Sequence, residues 1–233
     1  LIVGVIFGSQ FNANWSEILL MFNAQSFGTT DPQFGLDNGF YVFVLPGLKL
    51  VLAAVAMLLG VGLVFSVVTH VLMGGIRITM PVNGRGLFSI TKRCRRQLGI
   101  WLMLNMFAWA VRQMIGVFDQ LTVQGSRITG ASYTAVHANI PVTFIMAALT
   151  AILGVVLGIW LMRSHTLEGQ ASIGVRASAA LKAWRVPVTS IAVVVVVGLV
   201  LTVAWPVLLQ RFRVNPNAQE MESTYIQRNI DAT

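Results

Sequence analysis

Ile191-Ala-Val-Val-Val-Val-Val-Gly-Leu-Val-Leu-Thr-Val-Ala-Trp-Pro206 decides the fold. It lies within the 25 residues between Arg185 and Arg211, none of which is Asp, Glu, Lys or Arg. About 20 mostly apolar residues suffice to cross a bilayer. In hydrocarbon each backbone N–H and C=O needs a partner inside the chain, so such a run folds as a helix. Its β-branched residues favour strands in water, but the bilayer overrides that preference. A membrane barrel needs alternating segments of about 10 residues, whereas this run is continuously apolar.

Three further runs read the same way. Residues 50–73 carry no formal charge, and the 22 residues between Arg96 and Asp119 carry one, Arg112. The 35 residues between Arg127 and Arg163 carry none and become strongly apolar from Pro141. Leu1 to Gly8 is apolar but too short to cross. With no starting Met and no basic leading region it does not read as a signal peptide. It is expected to be the end of a longer helix, and the chain a fragment. Composition agrees with the runs. Hydrophobic residues make up 56% and charged residues 10% of the 233, against about 45–50% and about 25% in soluble domains. Mean hydropathy is +0.76. These values exclude an ordinary soluble enzyme and a disordered chain, and a single cysteine, Cys94, excludes a disulfide scaffold.

A net charge of +8 would suggest nucleic acid in a soluble domain. Here the charge is sorted by loop. Residues 9–40 hold three acids (Glu17, Asp31, Asp37) and no base. Residues 74–97 hold six bases (Arg77, Arg85, Lys92, Arg93, Arg95, Arg96) and no acid. Residues 119–140 have one base, Arg127, and residues 163–185 have four with one acid, Glu168. Basic loops stay cytoplasmic. The expected organisation is all-α, a polytopic transmembrane helix bundle. Residues 1–8 end a truncated span. Residues 41–73, 98–118, 141–162 and 186–210 are spans. Segments 74–97 and 163–185 lie inside; 9–40, 119–140 and 211–233 lie outside. Topology accounts for the bases without nucleic acid, and membrane lipids become the expected partners.

The first outer loop carries more than linker. Phe11, Trp15, Ile18, Leu19 and Phe22 share one helical face, with Asn14 and Glu17 at capping spacing. A short interfacial helix is expected there, or a helix packed beneath a soluble domain. Phe27-Gly-Thr-Thr-Asp-Pro-Gln-Phe-Gly-Leu-Asp-Asn-Gly-Phe-Tyr-Val-Phe-Val-Leu-Pro46 follows. This stretch, with Gly130-Ala-Ser-Tyr-Thr-Ala-Val-His-Ala138 and the segment from Asn215-Pro-Asn to Tyr225-Ile-Gln-Arg-Asn-Ile-Asp-Ala-Thr233, resembles the uncharacterised bacterial membrane protein family of the UPF series, number 0182. The resemblance covers most of the chain in order. Asp37-Asn-Gly39 stands where the family pattern has Asp-Ile-Gly. The resemblance implies about seven spans and then a large extracytoplasmic domain, in a bacterial cell membrane. It implies no agreed activity and no catalytic residue.

Arg112 is the outlier within a span, where a charge is a functional hypothesis by default. Asn105, Arg112 and Asp119 recur every seven residues and form a polar stripe on one helix face. The stripe could line a path for a lipid or an anion. Alternatively, Arg112 lies about 9 Å from the outer end of its span at about 1.5 Å per residue, within snorkelling reach. Gly154 and Gly158 form a small-xxx-small pattern, repeated by Ala56 and Gly60, for packing within the bundle or for homo-oligomerisation. Lys92, Arg93, Arg95 and Arg96 are expected at lipid headgroups, and their charge would favour a Cys94 thiolate open to modification. His70 suits a proton relay or plain tolerance at the inner end of its span. His137 lacks the neighbours of a metal site, and His165 carries no signal. No phosphate loop, H-E-x-x-H, C-x-x-C or G-x-S-x-G occurs, so no cofactor is expected and an enzyme is disfavoured. The expected role is a membrane sector that anchors the rest of its own chain as an envelope scaffold or assembly component, with envelope proteins as partners. The alternative is a transporter or channel using the Arg112 stripe.

Overall fold

The structure, a computed structural model, describes residues 2–78, 88–122, 130–164 and 173–231. Arg85, Arg127, His165 and Glu168 lie outside the described residues. Helix α1 spans Ile2–Phe22. It consists of two helical pieces joined across a kink at Asn14, which leaves helical geometry (φ −123°, ψ 21°) where the sequence placed the start of the interfacial helix. Helix α2 is Leu45–Leu72 and α3 is Lys92–Gly116, which tightens into a 3₁₀ turn at Val117–Leu121. Helices α4 (Ile140–Arg163), α5 (Ile173–Leu199), α6 (Trp205–Leu209) and α7 (Ala218–Asp231) complete the order. Between α2 and α3, β1 (Ile76–Ile78) pairs antiparallel with β2 (Phe88–Ile90), Ile76 opposite Ile90. That hairpin is a minor addition to an all-α chain.

Among the described residues, four continuous helical stretches are long and apolar enough to cross a membrane: Phe40–Leu72, Lys92–Leu121, Ala135–Arg163 and Trp184–Val214. Their large side chains stay exposed, Phe65 at 61% and Leu199 at 60%. In water such contiguous apolar surface would be an aggregation liability. In a bilayer it is the ordinary lipid-facing side.

Prolines shape these helices. Wide π turns occupy Phe40–Val44, Ala135–Asn139, Val200–Ala204 and Gln210–Val214. Each ends two residues before a proline: Pro46, Pro141, Pro206 and Pro216. The residue preceding each proline donates its N–H five residues back, Leu45 to Phe40, Ile140 to Ala135, Trp205 to Val200 and Asn215 to Gln210. A helical proline lacks an N–H and its ring collides with the carbonyl four residues earlier. Widening the preceding turn moves that carbonyl aside and keeps the neighbouring donors bonded.

Two compact units divide the chain. The second comprises Ala56–Ala110 and Ala148–Gly198. Ile90, Cys94 and Leu98 form its buried centre, with Leu63, Ile76 and Leu161 packed against them. Helices α3 and α4 cross there at glycines. A Cβ on Gly99 would sit 2.8 Å from the Gly158 carbonyl oxygen, and one on Gly158 would sit 2.9 Å from that of Gly99. The first unit comprises Leu1–Val55, Val111–Ala147 and Leu199–Thr233. It holds all four π turns and the candidate site.

Candidate functional site

Two acids build the loop between α1 and α2. Asp31 is 7% exposed. Its Oδ1 accepts the backbone N–H groups of Gln33 and Phe34, both at 2.7 Å. Its Oδ2 accepts Leu36 N–H at 3.1 Å and the Tyr41 hydroxyl at 2.6 Å. A short side chain that bonds backbone two and three residues on is the usual turn-forming role of Asp. Gly35 completes the turn with φ +68°, a conformation that L side chains resist. Asp37 accepts the Ser26 hydroxyl and the N–H groups of Phe27, Gly28 and Gly39. The Ser26 bond first, then those of Phe27 and Gly39, hold its carboxyl at about 2, below the usual 3.8.

Aromatic rings brace this loop against the end of α3. Phe34 and Phe40 meet Phe118 edge to face at 5.0 and 5.3 Å between ring centres, geometry that aromatic pairs favour. Lys49 reaches Asp119 at 2.8 Å.

Helix α7 is held to the segment before α4. Glu222, 7% exposed, accepts the Tyr133 N–H at 3.3 Å. Tyr133 stacks on His137 at 4.0 Å and meets Tyr225 edge to face at 6.1 Å. The Arg213 guanidinium lies 5.9 Å from the Tyr133 ring centre, and that of Arg228 lies 5.4 Å from Tyr225's. Burial pushes the Tyr225 hydroxyl up in pKa, while Arg228 pulls it down. Thr134 donates to Gln210, which donates to Asn215 at 3.1 Å.

A cavity of about 330 Å³ opens among these parts. Thr30, Asp31, Asn38 and Tyr41 supply one wall, Leu121, Gly130 and Ala131 another, and Tyr225 and Arg228 a third. All three stretches that carry the family resemblance thus meet at one place.

The stripe residues have separate surroundings. The Asn105 amide donates to the carbonyls of Trp101 (2.8 Å) and, on α2, Leu59 (3.2 Å). Asp119 takes the Lys49 pair, and Arg112 is exposed. Gly154 and Gly158 abut Met106 and Met103 of α3, while Gly60 has only ordinary contact with Asn105 and Ala56 is half-buried. Lys92, Arg93 and Arg96 are exposed. Arg95 corrects the headgroup expectation. It is 1% exposed and donates to the Ser164 carbonyl at the end of α4, so its charge is turned inward. Cys94 is fully buried, which removes the expected access for modification. The spacing held the signal: Cys94, Arg95, Leu98 and Gly99 share one helical face. His70 bonds Gln97 at 3.0 Å. No group of three His, Cys, Asp or Glu fit to hold a metal occurs among the described residues.

The four helices of membrane-crossing length and apolarity among the described residues, with a hydrogen-bonded loop cluster in one unit, define the class: a multi-span helical bundle. Within that class the chain belongs to UPF0182, an uncharacterised protein family, which it matches over residues 1–233. A UPF0182 protein of Bifidobacterium adolescentis is 79% identical over 233 residues, covering 100% of this chain and 22% of the relative. Relatives from Corynebacterium glutamicum and Mycobacterium bovis are 32% and 30% identical, each covering 99% of this chain. The chain spans 22% of the length of each of these relatives. No solved structure matches it.

Proposed function

We propose that this chain is the membrane sector of a longer cell-envelope protein, and that it anchors and orients an extracytoplasmic domain as a scaffold or assembly component. The supporting observation is the docking of α7. Glu222 is buried against Tyr133, and Tyr225 and Arg228 pack beside it. Chain leaving such a helix departs from a fixed platform. The membrane is the bacterial cell membrane, multi-pass, with the basic segments 74–97 and 163–185 inside and α7 outside, following the loop charges. The partners of this reading are membrane lipids, the rest of the same polypeptide and other envelope proteins.

The test compares the full-length protein with a form that begins at residue 211, without any earlier span, secreted by a cleavable signal. The scaffold reading expects the shortened form to fold but to lose its native crosslinking partners in the envelope. Retention of every partner would contradict it. A second form, full-length Glu222→Ala/Tyr225→Ala, should stay in the membrane and lose the same crosslinks.

A further inference from the structure

The cavity in the first unit shares Tyr225 and Arg228 with the docked α7, but ligand binding in it is measured independently of the anchoring role and does not require it. We propose that it binds a small phosphorylated polyol, either free or as the headgroup of a lipid.

Size comes first. At about 330 Å³ the cavity is at the lower end of ligand pockets. It suits a glycerol- or sugar-sized group rather than an acyl chain. Charge comes next. Arg228 and Asp31 are the formally charged lining residues. Asp31 already accepts four hydrogen bonds, from Gln33, Phe34, Leu36 and Tyr41. It builds the wall and has little capacity left for a cation. Arg228 forms no ion pair among the described residues and rests against the Tyr225 ring. A guanidinium drawn to a ring by cation–π attraction makes no hydrogen bond through that contact, and its forked N–H groups match a phosphate in bidentate fashion.

The remaining lining suits hydroxyl groups. Gln33, Thr30 and Thr122 offer amide and hydroxyl partners. Asn38 spends its amide N–H on Thr29 and keeps its carbonyl oxygen. Tyr41 donates to Asp31 and keeps its lone pairs as acceptors. Val42 and Leu121 add apolar surface where the first and second apolar stretches meet the cavity. A lipid's glycerol end could lie there with its chains along those helices.

The experiment uses the full-length protein in phosphatidylcholine nanodiscs. One arm titrates soluble glycerol 1-phosphate by calorimetry. The other adds phosphatidylglycerol to the nanodiscs and counts retained lipid by native mass spectrometry. Saturable binding in either arm supports the site. Competition between the arms identifies the shared headgroup. Binding in one arm alone identifies the source as free or lipid-borne. Arg228→Gln should weaken binding about tenfold or more, the scale of one charge-assisted hydrogen bond. Gln33→Ala should weaken it several-fold, and serves if Arg228→Gln fails to fold. Arg213→Gln removes an equivalent arginine–tyrosine contact that does not line the cavity, and should leave binding unchanged. Absence of binding in both arms would overturn the proposal. So would indifference to both Arg228→Gln and Gln33→Ala, or an equal loss in Arg213→Gln.

Discussion

Replacing Asp31 with Asn tests how the cavity wall is held. The change keeps size and shape and removes the charge. If the amide oxygen takes the Oδ1 place, the Gln33 and Phe34 N–H bonds at 2.7 Å survive as neutral bonds. The Oδ2 place then carries an NH₂ group facing the Leu36 N–H and the Tyr41 hydroxyl. Tyr41 can rotate its hydroxyl and become the acceptor. The Leu36 N–H cannot change role. One unsatisfied buried donor costs about 1–3 kcal/mol, and weakening charge-assisted bonds to neutral ones adds about 1 kcal/mol. Together Asp31→Asn should cost about 2–4 kcal/mol. Tyr41→Phe removes one bond and should cost about 1–2 kcal/mol. Because the two residues share that bond, the double variant should cost less than the sum. Unfolding in mild detergent, followed by tryptophan fluorescence, reads all three. Asp31→Asn within about 0.5 kcal/mol of wild type, the level of an ordinary surface change, would refute the reasoning.

Further outcomes follow from other contacts. Gly158→Ala gains about 1 kcal/mol of helix propensity but must overpack against the Gly99 carbonyl, at about 1–3 kcal/mol. It should be neutral to destabilising in the same unfolding assay, whereas Gly116→Ala, with nothing within 4 Å, should not destabilise. Asp37 has a folded pKa of about 2, below its ordinary value. Its contribution is therefore present above the unfolded carboxylate value of about 4 and is lost as pH falls toward 2; NMR titration of the Asp37 carboxyl checks this. Cys94 should resist maleimide in the folded protein and react once unfolded, as judged by mass. Arg112→Leu should leave the protein folded. Loss of lipid or anion flux in proteoliposomes would favour the transport alternative, and unchanged flux would remove it.

Much of the architecture was legible because hydropathy reports the solvent a segment prefers. The run from Ile191 needed no partner to be read as a helix. The π turns were not legible as such, because a proline alone does not mark one: Pro187 lies inside α5 with ordinary α-helix before it. What a side chain faces was harder. Arg95 looks like its neighbours in a basic string, yet the azimuth of α3 against α4 turns it toward Ser164. The break at Asn14 was legible from its capping spacing to Glu17, whereas no local signal showed the preceding helix running on past Gly8. The cavity was illegible as a site, since Thr30, Gly130 and Arg228 meet only through the fold. Its parts were visible only as three separate stretches of family resemblance. The stripe at Asn105, Arg112 and Asp119 followed from spacing alone, and spacing does not say which polar atoms already have partners on α2.

Single cysteines at positions 92 and 219, placed one at a time in a Cys94→Ala background, test the membrane-spanning account most directly. Intact cells are treated with a membrane-impermeant maleimide before and after permeabilisation. The account predicts that position 219 reacts in intact cells and that position 92 reacts only after permeabilisation. Reaction of both positions from the same side, or recovery of the protein as a monodisperse species in detergent-free buffer, would contradict it.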